Sequence, residues 1–267
     1  MENLLYTAKN FFTHKDFLVH EKLVGMLFSP LHLAVSAIFC VLILLLALRI
    51  AKKSPRTVRN VLTVLWACLV VFEVAKIVWE ATAGKQIGIE WGGVLPLYPC
   101  SIFLYAMPFA LFGNEWMKKA ACGYVFTLGL LGAAINFFYP VNVLSNYSFF
   151  SFAGMHTMLF HGVMLFAFLL MQITGYHRYT HLSRPWELIL PAIPALLLSV
   201  PANLVNYSSI GSDYMFFKGN SFFLPAIFGG ISDLQTTILF YLLYLLLPVP
   251  FYLPGMLYRR KKQGKTL

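Results

Sequence analysis

Runs of about twenty apolar residues recur along this chain, and each is long enough to cross a bilayer. A helix rises about 1.5 Å per residue, so about 20 residues match a hydrocarbon core of about 30 Å. Seven runs qualify, at residues 30–51, 59–82, 95–113, 118–140, 149–174, 186–207 and 222–257. The last is too long for one straight span, and Pro248, Pro250 and Pro254 are expected to break it. Only 11% of the residues are charged and 59% are hydrophobic, where a soluble domain carries about 25% charged residues. The expected fold is an all-α polytopic membrane bundle of about seven transmembrane helices.

Basic residues set the expected orientation. Arg49, Lys52, Lys53, Arg56 and Arg59 lie between the first two runs, Lys118 and Lys119 between the third and fourth, and Arg178 and Arg184 between the fifth and sixth. Arg259, Arg260, Lys261, Lys262 and Lys265 follow the last run. The alternate loops hold only Lys9, Lys15, Lys22, Lys85 and Lys218. Positively charged loops stay cytoplasmic, so the N-terminus is expected outside and the C-terminus inside. The net charge of +10 is then a topology signal. The basic tail is expected to meet anionic lipid headgroups, and no nucleic-acid partner is expected.

Three regions follow: an amphipathic interfacial segment at 1–24, a transmembrane domain at 25–258 and a basic cytoplasmic tail at 259–267. The first segment mixes charges with aromatics and lacks the apolar core of a cleaved signal. Leu4, Leu5, Phe11, Phe12, Phe17 and Leu18 are expected on one face of a surface helix. Cys40, Cys68, Cys100 and Cys122 show no metal-ligand spacing, so neither a disulfide framework nor a metal site is expected. No dinucleotide or phosphate-loop motif is present, and no cofactor is expected.

Polar residues at membrane depth are the candidates for chemistry. Cys100 lies about five residues below the outer start of the third run, or about 8 Å deep. His156 lies at a similar depth in the fifth run, and His161 about 8 Å deeper on a different face. Depth alone pairs Cys100 with His156. Glu73 and Lys76 are three residues apart and can pair on one helix face, with Glu80 on the same face nearer the outer surface. Asp233 is expected about eleven residues deep in the last run, leaning on Lys76. Asn203 and Asn206 share a face and could donate hydrogen bonds to an ester carbonyl or a headgroup. These residues also admit a second reading, a transporter or small-molecule binding bundle with Glu73, Lys76 and Asp233 as an intramembrane relay.

Four blocks carry a family resemblance: Phe72-Glu73-Val74-Ala75-Lys76, Leu95-Pro96-Leu97-Tyr98-Pro99-Cys100-Ser101-Ile102, Phe160-His161-Gly162, and Asn206-Tyr207 followed by Asp213-Tyr214-Met215. In this order they resemble the YwaF-like bacterial integral membrane proteins, which are related to transmembrane protein 164. Tyr98 stands where bacterial members often have His, and Asp213 where they have Asn. The resemblance implies a lipid acyltransferase or lipid hydrolase in a cell membrane, that of a bacterium by the YwaF-like branch. Cys100 would be the nucleophile and His161 the base, with a phospholipid or lysolipid as partner. Glu73, Lys76, Tyr98, Asn203, Asn206 and Asp233 complete the expected substrate-binding set.

Overall fold

In a computed structural model of the chain, residues 2–85, 91–178, 182, 184–219 and 230–263 are described. Among these residues, six helical stretches are long and apolar enough to cross a membrane: Pro30–Ala51, Pro55–Ala83, Glu115–Leu144, Phe152–Thr174, Pro185–Asn206 and Asp233–Tyr258. A shorter apolar stretch, Pro99–Phe112, is the remaining expected element. The chain is a multi-pass membrane protein built as a helical bundle.

Local sequence starts and stops these helices. Ser29 and Ser54 each accept a hydrogen bond from the backbone N–H three residues on, with Pro30 and Pro55 in the first turn. A side-chain acceptor at the cap and a proline without an N–H both suit the unpaired donors of a helix start. These caps open α2 (Pro30–Ala51) and α3 (Pro55–Ala83). α1 is the terminal helix Glu2–Lys9. The third run folds as a turn, Pro99–Ser101, leading into α4 (Ile102–Phe112). It begins later than the expected residue 95, because Pro96 and Pro99 keep the preceding residues extended. Asn114 caps α5 (Glu115–Tyr124), which continues through a wide turn, Val125–Gly129, into α6 (Leu130–Phe138).

Ser151 caps α7 (Phe152–Thr174), and Gly175 ends it in the left-handed conformation at φ 71°. A glycine meets that backbone need without strain. α7 packs against α2, α3 and α6 and is the axis of the bundle. Over half of its apolar window, 56%, is buried, against 17% for α3. The exposed apolar side chains of α2 and α3, such as Ile38, Leu45, Val71 and Val78, face outward, as lipid contact requires.

α8 (Ile193–Asn206) follows the turn Pro185–Ala192. α9 (Asp233–Leu246) opens on a reciprocal cap between Ser232 and Gln235. The expected start of this run, residues 222–229, lies outside the described residues, as do residues 264–267 of the basic tail. The expected break falls at Pro248, between α9 and α10 (Val249–Gln263). Pro250 sits in the first turn of α10, where its missing N–H costs nothing, and Pro254 lies within the helix without ending it.

Residues 2–24 cover one end of the bundle, here the cap end. The expected surface helix is shorter than its apolar pattern suggests. α1 stops at Lys9, and the chain then makes two tight turns, Lys15–Phe17 and His20–Lys22. Leu18 and Leu23 are buried against Tyr147 and Ala153, while Leu4, Leu5, Phe12 and Phe17 stay exposed.

The start of α7 is tightly enclosed. A Cβ on Gly154 would collide with the carbonyl oxygen of Ser148 and stand 2.8 Å from that of Phe149 and 2.9 Å from Phe149 Cα. These are backbone atoms that cannot swing aside. Gly154→Ala is therefore expected to cost about 1–3 kcal/mol and to lower the melting temperature in detergent by several degrees. Gly132→Ala, whose Cβ would meet only Met164 Cε at 3.9 Å, is the control and should melt no lower than wild type, since alanine suits a helix interior better than glycine. Equal melting of both variants would refute this crowding.

Candidate functional site

Polar side chains of α3 and α7 cannot face hydrocarbon cheaply, and they face each other across a cavity of about 450 Å³. Glu73, Lys76 and Glu80 line it from α3 at a spacing of three and seven residues. Ala153, His156, Thr157, Phe160 and His161 line it from α7. That stripe (i, i+3, i+4, i+7, i+8) is one broad helix face. Both histidines therefore reach the same space, and the expectation that His161 points elsewhere is corrected. An offset of five residues falls within a face this wide. Tyr98, Cys100 and Ser101 close the cavity from the turn before α4, and Lys15 reaches it from the cap.

Each titratable side chain on the α3–α7 wall has a defined tie. Glu73 is buried, and its two oxygens are divided. Oε1 lies 3.4 Å from Lys76 Nζ, and Oε2 lies 3.0 Å from His156 Nε2. The His156 contact is a close polar contact whose N–H runs off the line to the oxygen, as Nε2 satisfies no aligned hydrogen bond. His161 is fixed differently. Its Nδ1 lies 2.7 Å from the carbonyl oxygen of Thr157. A carbonyl only accepts, so Nδ1 carries the hydrogen. In the neutral ring Nε2 is then left with a lone pair. Thr157 is itself held, donating its hydroxyl hydrogen to Asn136 Oδ1 at 3.2 Å.

Cys100 is half-buried in the turn Pro99–Ser101. Two tyrosines hold that turn. Tyr124 donates to the carbonyl of Pro99 at 2.8 Å, and Tyr214 accepts from the backbone N–H of Leu95 at 2.9 Å. Tyr98 packs edge-on against Tyr214, with ring centres 5.0 Å apart. The segment Tyr214–Phe216 is bent, with Met215 at φ 59° and Phe216 at φ 60°. Such angles are rare outside glycine.

Three expected site residues stand elsewhere. Asn206 is fully buried, and its side chain closes both ways on Tyr214, accepting from its N–H at 2.7 Å and donating to its carbonyl at 2.8 Å. Asn203 donates to the Tyr241 hydroxyl at 3.0 Å. Neither is among the residues that line the cavity. Asp233 is the first residue of α9 and is exposed. Its helix starts at that residue, so it is not eleven residues deep, and Lys76 pairs with Glu73 instead. The relay of the alternative reading thereby loses its third member.

The N-terminal cap ties to a cavity-lining residue of α3 through His14, which sequence reasoning did not single out. His14 Nδ1 lies 3.1 Å from Asp16 Oδ2, and its Nε2 lies 3.3 Å from Glu80 Oε2. Trp79 at the end of α3 donates to the carbonyl of Phe12 at 2.8 Å, and Lys15 N–H donates to the Tyr147 hydroxyl at 3.3 Å. The backbone N–H of Lys85 donates to Asp16 Oδ2 and holds that carboxyl below its ordinary value, aided by His14. A lowered folded value means that this tie contributes above the ordinary Asp range and is lost as pH falls through the folded value. A pattern of one histidine among acids, far apart in sequence, offers no periodic signal by which it could be found.

Asn206→Ala removes two buried hydrogen bonds to backbone, at about 1–3 kcal/mol for each group left unpaired. It should lower the melting temperature more than Asn203→Ala does, and the reverse order would refute the clamp. His14→Ala should loosen the cap. With Cys40, Cys68 and Cys122 replaced by serine, it should speed labelling of Cys100 by a water-soluble thiol reagent several-fold. An unchanged rate would show that the cap does not limit access to the thiol.

The family model described as the TMEM164 family matches residues 27–256. No curated protein and no solved structure matches the chain. The match covers most of the chain and takes in every helix that faces the cavity. The chain belongs to the TMEM164 family.

Proposed function

We propose that this TMEM164 family member transfers or hydrolyses the fatty acyl groups of membrane lipids through a thioester on Cys100. One observation carries the reading. A thiol and an imidazole with its Nδ1–H already bound to a backbone carbonyl open onto one membrane-embedded cavity. Fixing Nδ1–H leaves Nε2 as the acceptor, which is the form a general base needs.

The steps follow from that arrangement. Cys100 gives its proton to His161 Nε2, and the thiolate attacks the carbonyl carbon of an acyl ester. Negative charge builds on the carbonyl oxygen. Tyr98 lines the cavity two residues before Cys100, and its hydroxyl takes the oxyanion role in place of Asn203 and Asn206, which do not line it. As the intermediate collapses, the C–O bond breaks and His161 returns the proton to the leaving oxygen. The acyl group stays on sulfur until a lysolipid hydroxyl or water takes it. The cavity lies between apolar helices, so a lipid ester can enter with its chains still in hydrocarbon.

The test uses purified full-length protein in detergent and a long-chain acyl p-nitrophenyl ester. Wild type should gain one acyl group, visible by intact mass and removable by hydroxylamine. Cys100→Ala should gain none, and His161→Ala should acylate at least about 100-fold more slowly. Undiminished acylation of Cys100→Ala would overturn the thioester.

A further inference from the structure

The cavity holds two histidines, and a single acyl transfer to sulfur uses one. Their settings differ in a way that matters for acid–base work. His161 leans on a backbone carbonyl, and His156 on a carboxylate. That carboxylate is itself held on its other oxygen by Lys76. The order Lys76, Glu73, His156 sets a carboxylate 3.0 Å from the ring, close enough to stabilise the imidazolium formed when the ring takes a proton.

The two half-reactions ask for bases of unequal strength. A thiol loses its proton near pH 8.5, and water only near 15.7. An imidazole backed by a carbonyl suffices for a thiol. A hydroxyl must be deprotonated as it attacks, and the imidazolium this creates is worth stabilising with a carboxylate. Position points the same way. His156 lies five residues, about 7.5 Å, closer to the cap end than His161 on α7. Lys15, Glu80, Asn142 and Asn146 add polar lining to the same cavity, groups that suit water or a lysolipid headgroup. The ring's Nε2 faces Glu73, so the proton-accepting atom is Nδ1.

Resting on the thioester reading above, we propose that His156, positioned by Glu73, is the base of the second half-reaction, deprotonating the acceptor hydroxyl that attacks the Cys100 thioester. The acceptor O–H gives its proton to His156 Nδ1, and its oxygen attacks the thioester carbonyl. A C–O bond forms, the C–S bond breaks, and the proton passes to the Cys100 sulfur as it leaves. Histidine, sulfur and cavity return to their starting states with no other reactant consumed. His156 is the catalytic group of this step, and Glu73 a positioning residue.

The experiment separates the half-reactions. Full-length protein in detergent is mixed with excess long-chain acyl p-nitrophenyl ester, with water as acceptor. Nitrophenolate release reports a burst of acylation and then steady turnover. Wild type should show both. Glu73→Gln and His156→Gln should keep a burst of about one per protein, fall at least tenfold in steady turnover, and accumulate acyl-Cys100 by intact mass. Glu73→Asp should recover part of the steady rate. Hydroxylamine is nucleophilic without a base and should discharge the accumulated thioester in both variants. His161→Ala should lose the burst itself.

Loss of the burst in His156→Gln to the extent seen in His161→Ala would overturn the division of labour. Wild-type turnover in His156→Gln would overturn it equally. Because Glu73 is buried, its variants are read only if they melt as a single folded species, and His156→Gln decides the matter otherwise. A wild type without any burst would sink the thioester reading itself, a different result from either.

Discussion

A carboxylate at membrane depth must be surrounded by groups that want its charge, and Glu73 organises the protein around that need. Its oxygens reach Lys76 on its own helix and His156 on α7. The second tie fixes which faces of α3 and α7 meet. Once they meet there, helical spacing carries Glu80 and Thr157 onto the same wall, and His161 joins them because the wall is wide. A polar cavity between otherwise apolar helices is the consequence. An ion pair of this kind adds little net stability when its desolvation is counted, but losing one partner strands the other, at about 3–5 kcal/mol. That asymmetry ties the shape of the cavity to the charges inside it.

The opposite wall is set by hydrogen bonds to backbone. Asn206 grips Tyr214, Tyr214 takes the N–H of Leu95, and Tyr124 takes the carbonyl of Pro99. Trp66 on α3 adds a bond to the carbonyl of Leu104 in α4 at 2.8 Å. Four side chains from separate helices and loops thus hold the short stretch that presents Cys100. Prolines at 96 and 99 deprive that stretch of its own helical bonds. A segment that cannot satisfy itself must be satisfied from outside, and those outside bonds fix the thiol's position.

Much of this was legible in the chain. Period and length gave the helices, since apolar runs of span length have few alternatives in lipid. The spacing of Glu73, Lys76 and Glu80 gave a shared face, and Cys100, His156 and His161 do border one cavity. Depth counted along an apolar run is a weaker guide. Residues 222–232 extend the last run and make Asp233 read as deep, yet its helix is capped by Ser232 and starts at Asp233. Ser232 and Gln235, three apart, were the available signal for that start. Asn206 looked like a cavity donor because an amide near a span end is ambiguous, and only tertiary placement shows Tyr214 beside it. His14 left no trace, since its partners Asp16 and Glu80 come together only when the cap folds over α3.

The two histidines show why helical phase alone could not rank them. Five residues apart, they differ by about 140° beyond one turn, which argues for opposite faces if the wall is narrow. The wall is wide, because the cavity is bounded by α3 on one side and the Cys100 turn on another, so α7 presents a broad arc to it. What distinguishes the rings is the second atom each one holds, a carbonyl oxygen for His161 and a carboxylate for His156. Thr157 O is supplied by the helix itself and would be there for any His at that position. Glu73 is supplied from another helix at the cost of burying charge in the membrane. The α3–α7 contact, and not the helix's own carbonyl, is therefore what sets the two rings apart.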